Sequence, residues 1–92
     1  MAKHLVIAGI VQGVGYRASF EAQARALKLS GWVRNRLDGT VEAMVRGDAD
    51  ALEKIVAWSK RGPAAAVVRE VSMSEVDDAS VPDGRFEMLA TK

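Results

Sequence analysis

The dipeptide Asp38-Gly39 constrains the middle of this chain more than any other feature. Asp-Gly accepts the positive φ angles of a tight hairpin turn, whose twist matches that of two flanking antiparallel strands. Thr40 to Arg46 follows it with strict alternation. Val41, Ala43 and Val45 fall on one side, Thr40, Glu42, Met44 and Arg46 on the other, which is the pattern of a half-buried strand. Trp32 to Asn35 precedes the turn and reads as the other arm of the hairpin.

Patterns to either side complete the order. Leu5 to Val11 is a short apolar run rich in β-branched residues, the mark of a covered, central strand. From Ala18 to Lys28 the period becomes helical: Phe20, Ala24 and Leu27 form one stripe, and Glu21, Gln23, Arg25 and Lys28 lie elsewhere. Gly31 follows. After Gly47, either Asp48 or Asp50 can cap a second helix, and Asp50 with Glu53 has capping-box spacing. That helix carries Leu52, Ile55 and Val56 on a stripe beside Ala51 and Trp58, and Gly62-Pro63 stops it. Val67 to Val76 alternates again, with Val67, Val71 and Met73 on one face, and Arg85 to Ala90 reads as a short fifth strand. The order β-α-β-β-α-β, with an extra strand, predicts a ferredoxin-like split βαβ sandwich of the α/β (α+β) class. It has an antiparallel sheet of four to five strands with two helices on one face.

The chain has 92 residues, which suits one domain spanning 1–92 with one modest core. Thirteen Lys and Arg oppose twelve Asp and Glu, so a dedicated nucleic-acid binder, with its basic excess, is not expected. With no cysteine, thiolate metal sites and a cysteine nucleophile are excluded. The apolar run near the N-terminus is too short to span a membrane, and Gln12-Gly13-Val14 is a poor cleavage site for a signal peptide. The expectation is a cytoplasmic monomer with no membrane partner.

The loop from Gln12 to Arg17 joins the first strand to the first helix. Gly13 and Gly15 permit positive φ and let backbone N–H groups converge on a ligand. The first turn of a helix has N–H donors without intrahelical partners, yet no Ser, Thr, Asp or Asn lies between Gln12 and Ala18 to cap them. Arg17 is misplaced as well, because the helix macrodipole opposes a cation there by about 0.3–1 kcal/mol. A bound anion would satisfy the donors and reverse that sign. From the residues alone, a plain tight turn with a solvated arginine stays open beside this anion site. Neither a Walker loop nor a dinucleotide fingerprint is present. Asn35 ends the second strand, where Asn is common for conformational reasons. Placed near the loop, its amide could hold a water.

Two segments then resemble the signatures of the acylphosphatase family. Gly9-Ile10-Val11-Gln12-Gly13-Val14-Gly15-Tyr16-Arg17 is similar to the first. Gly31-Trp32-Val33-Arg34-Asn35, followed by Gly39-Thr40-Val41 and Gly47, is similar to the second. The resemblance runs over essentially the whole chain. It implies the ferredoxin-like fold and hydrolysis of the carboxyl–phosphate bond of a small acyl phosphate, with no cofactor and no metal. It implies that Arg17 binds the phosphate, that Asn35 orients the attacking water, and that the loop Gln12, Gly13, Val14, Gly15 and Tyr16 cradles the phosphate. Tyr16 stands where the family more often has Phe, and the tail to Lys92 lacks the family's common terminal tyrosine. A non-catalytic anion-binding regulatory module is the rival. An RNA-binding sheet would need exposed aromatics on the central strands, and the first and third strands have none.

Overall fold

A computed structural model describes residues 1–92. The elements run β1 (Ala2–Ile10), α1 (Tyr16–Ala26), β2 (Ser30–Asn35), β3 (Val41–Arg46), α2 (Ala49–Ser59), β4 (Val67–Val76) and β5 (Phe86–Met88), with a 3-10 turn at Asp78–Ser80. The strand order is β4-β1-β3-β2-β5. β1 and β2 are therefore separated by β3, as the split arrangement requires. No helix is long and apolar enough to cross a membrane.

Register explains which side chains reach the core. Leu5 pairs with Ala43, which pairs with Val33, and Ile7 pairs with Val41, which pairs with Asn35. Leu5, Ile7, Val33, Val41, Ala43 and Val45 all share the buried face and meet Phe20 and Ala24 of α1 and Leu52 and Ile55 of α2. Asn35 lies on that same buried face, at its end. This parity decides the site, because it turns the Asn35 side chain toward the helices rather than toward solvent.

Three expectations need correction. The sheet is antiparallel through its first four strands, but β5 pairs parallel with β2, so the sheet is mixed. The segment after β4 crosses the sheet end at which β2 begins, held there by Arg46 Nη1 donating to the Val81 carbonyl and Ser30 Oγ donating to Asp83. It enters the far edge from that end and must then run alongside β2. In β4 the alternation breaks: Ala8 pairs with Glu70 but Gly9 with Val68, leaving Arg69 as an extra residue in a bulge. The bulge moves Val67 off the face that Val71 and Met73 share. Finally, Asp48 alone caps α2, accepting from Ala51 N at 2.8 Å. Asp50 forms no capping box with Glu53 and instead pairs with Lys54 on the exposed side.

α1 begins two residues earlier than the periodicity predicts, and this brings Arg17 inside its first turn. Tyr16 is its first residue and is buried among Phe20 and Trp58. Its hydroxyl donates to the Ser59 carbonyl at 2.7 Å, tying the start of α1 to the end of α2. Burial pushes that hydroxyl's pKa well above the ordinary tyrosine value.

Candidate active site

The loop after β1 is shaped by two left-handed residues, Gly13 at φ 76° and Gly15 at φ 78°. Open space surrounds both, so conformation rather than crowding demands glycine there. Gly15 is the N-cap of α1 and offers no side-chain oxygen. From Gln12 to Ala18 no backbone N–H finds an acceptor in the protein; the first to do so is Ser19, which donates to the Gly15 carbonyl at 3.0 Å. The missing cap seen in the sequence is therefore a real gap in hydrogen bonding.

A cavity of about 160 Å³ lies against this loop. Gly13, Gly15, Arg17 and Asn35 supply its polar wall, and Val11, Ala18 and Met88 its apolar one. Arg17 is half-buried and makes neither an ion pair nor a side-chain hydrogen bond within the protein. Asn35 is 9% exposed, and its Oδ1 is buried with no partner. An orphaned buried acceptor costs about 1–3 kcal/mol, so folding alone gives no reason to keep it. Three kinds of polar group therefore converge without protein partners: loop amides, a guanidinium fork and a carboxamide. Such an arrangement suits an oxyanion with a water beside it. No Asp, Glu or His lines the cavity. Elsewhere, no three His, Asp or Glu side chains gather where they could hold a metal.

The structure sorts the sequence-predicted residues. Gly13, Gly15, Tyr16, Arg17 and Asn35 meet at the cavity. Val14 turns its side chain onto the core and offers only backbone. Gln12 does not line the cavity: its Nε2 donates to the carbonyls of Arg36 at 2.7 Å and Thr40 at 2.9 Å. Arg34, the neighbour of Asn35 in sequence, points to the opposite, open face of the sheet. There it pairs with Glu42 at 2.8 Å and lies 4.7 Å over the Trp32 ring. His4, outside both signatures, joins the same group through a 2.7 Å contact with Glu42. Met88 was missed. It is 45% exposed and reaches the site from β5. Only the parallel pairing of β5 with β2 brings it there, and no local motif announces that pairing.

Comparison with known proteins identifies the family and the fold. The family model described as Acylphosphatase matches residues 3–88. An acylphosphatase of Azoarcus sp. (strain BH72) is 54% identical over 91 residues, covering 98% of this chain and 90% of the relative. The crystal structure of acylphosphatase from Bacillus subtilis superposes with a TM-score of 0.86 at 34% identity, covering 97% of this chain and 99% of that one. An acylphosphatase structure from Coxiella burnetii gives 0.88 at 34% identity, over 96% and 90%. With a family model matched over residues 3–88, a matching fold and relatives of this identity over nearly all its length, the chain belongs to the acylphosphatase family.

Proposed function

We propose that, in the acyl phosphate hydrolysis that family membership assigns to this chain, the loop Gln12–Arg17 holds the phosphoryl group and Asn35 orients the water. The observation that carries the assignment is the Asn35 carboxamide, buried beside Arg17 and bonded to nothing in the protein.

The chemistry asks for little more. Water oxygen bonds to phosphorus while the bond from phosphorus to the carboxyl oxygen breaks, and the electron pair leaves with the carboxylate. That leaving group is stable as an anion, so no strong general acid is needed. Transfer passes through a loose transition state whose charge rests on the three equatorial phosphoryl oxygens. The loop N–H groups and the Arg17 fork face that charge and strengthen as it develops. Asn35 holds the water in line, removing part of the entropic barrier. With no carboxylate or imidazole lining the cavity, the water's proton passes to a phosphoryl oxygen of the substrate. The products are a carboxylate and inorganic phosphate.

The reading includes residues 1–92 as one domain acting in the cytoplasm as a single copy on a small acyl phosphate, without nucleic acid. The single copy and the cytoplasmic setting both rest on the sequence. The test is phosphate release from a simple aryl acyl phosphate, with and without a chelator. Turnover is expected to survive chelation. Asn35→Ala is expected to lower kcat by about 10²–10³-fold, with Tm unchanged or raised. Phosphate binding without turnover in the unmodified chain would favour the non-catalytic module.

A further inference from the structure

We infer that Gln12 is a positioning residue for this reaction: its side-chain amide clamps the phosphate loop to the turn after β2 and so fixes Asn35 relative to Arg17. The inference rests on the roles proposed above for those two residues.

The clamp joins two otherwise separate pieces. On one side is the loop, which has two left-handed glycines and no backbone N–H bonded to the rest of the protein before Ser19. Such a segment has little stiffness of its own. On the other side is the turn Arg36–Thr40, closed by Arg36 N donating to the Thr40 carbonyl at 2.9 Å and Gly39 N donating to the Arg36 carbonyl at 3.1 Å. Asp38 Oδ1 tightens it by accepting from Thr40 N and Thr40 Oγ1 at 2.9 and 2.6 Å. The turn is thus rigid, and a bond to it is a bond to the end of β2, where Asn35 is the residue before Arg36.

Gln12 Nε2 gives both of its hydrogens to this turn, one to each closing carbonyl. The residue type follows from that. Two carbonyl acceptors facing one nitrogen need an NH₂ group on a side chain of this reach; a carboxylate would meet them with repulsion and a thioether with nothing. No other side-chain hydrogen bond leaves the loop from Gln12 to Gly15. The amide sits one residue before Gly13, which lines the cavity. Losing it frees the relation between cradle and water-holding group while leaving each intact. Misplacement of a reacting pair by about 1 Å is enough to cost on the order of 10²-fold in rate.

The test compares Gln12→Met, similar in length but without donors, with Gln12→Asn, which keeps the amide but falls one methylene short. Each is assayed for kcat with an aryl acyl phosphate and for Ki with inorganic phosphate, alone and combined with Asn35→Ala. Gln12→Met is expected to lose about 10- to 100-fold in kcat with Ki for phosphate within about threefold. Gln12→Asn is expected to fall between it and the unmodified chain. With Asn35 already Ala, adding Gln12→Met is expected to cost nothing further, because the group being positioned is gone. Unchanged kcat in folded Gln12→Met overturns the clamp. So does an additive loss in the double variant, or a parallel rise in Ki, since either marks general loosening. If Gln12→Met does not fold, the Gln12→Asn cycle decides on the same criteria. Failure of the unmodified chain to turn over would overturn the proposed roles themselves, a result distinct from an active chain indifferent to Gln12.

Discussion

The two helices of this molecule are each eleven residues long, yet they begin in opposite ways. α2 starts as a stable helix should. Asp48 accepts from Ala51 N, and Asp50 puts a second negative charge in the first turn. α1 starts from a left-handed glycine, has no acidic residue in its first turn and carries Arg17 there instead. A side-chain cap is worth about 0.5–2 kcal/mol, and a misplaced charge costs several tenths more. The chain therefore tolerates at α1 what it avoids at α2. The difference teaches that the start of α1 is left without protein partners where α2 is supplied with them, and the cavity with Arg17 and Asn35 on its wall lies against that start, which is what the proposed phosphate role uses.

The comparison is broken most severely at Arg17. Arg17→Lys keeps the charge but loses the planar fork that meets two phosphoryl oxygens. A kcat loss of about 10²–10³-fold is expected, with Tm essentially unchanged because Arg17 bonds to nothing in the protein. Full activity in this variant would remove the guanidinium from the reaction. Next comes converting the start of α1 into one like that of α2. Gly15→Asp places a carboxylate in the proposed phosphate cradle, and Asp tolerates φ near 78° better than most residues. Open space awaits the new side chain. Ki for inorganic phosphate should rise by about 10- to 100-fold, the repulsion adding to the lost approach of the backbone. Gly15→Asn, with the same shape and no charge, should rise far less. Equal effects from both would mean that backbone strain, not charge, governs the cradle.

Much of this was legible in the sequence because it depends on local chemistry. The absent cap between Gln12 and Ala18 and the cation at Arg17 are readable without any tertiary contact, and the structure leaves those donors open. The alternation of Val41, Ala43 and Val45 gave the buried face, and register then carried Asn35 onto it. What could not be read depends on partners distant in the chain. Met88 reaches the site only because the segment after β4 crosses the sheet and pairs β5 parallel to β2. The bulge at Arg69 leaves no mark in an alternating run, so alternation alone puts Val67 on the face of Val71, where the register shift does not. Gln12 looked like a ligand-facing amide, since no spacing rule says which way an amide in a glycine loop turns. Arg34 neighbours Asn35 in sequence, but strand alternation puts it on the opposite face of the sheet.

The start of α2 is the control. Asp48→Ala removes its cap and should cost about 1 kcal/mol, or about 4–8 °C in Tm for a chain of this size. kcat and Ki should not move, because α2 supplies no group to the cavity. Loss of activity in proportion to stability would show that the start of α2 is coupled to the start of α1 along the length of α2, through the Tyr16–Ser59 bond at its far end.

The smallest effect belongs to the open sheet face, where the polar groups have protein partners. Burial pushes the Glu42 carboxyl up, but hydrogen bonds from His4 and Arg34, and the charge of both, outweigh that and hold it below its ordinary 4.5. A carboxyl with a lowered folded-state pKa stabilises fully above its unfolded value, and that stabilisation disappears as pH falls through the folded value. Glu42→Gln should therefore lower stability at neutral pH by no more than about 1 kcal/mol, since the ion pairs are partly exposed. The gap between variant and unmodified chain should close as pH drops below about 4. Activity at neutral pH should be retained, because this cluster faces away from the cavity. A gap that persists at low pH would mean that Glu42 acts through packing rather than charge. A fall in kcat would mean that the open face, unlike the start of α2, feeds into the site through β2.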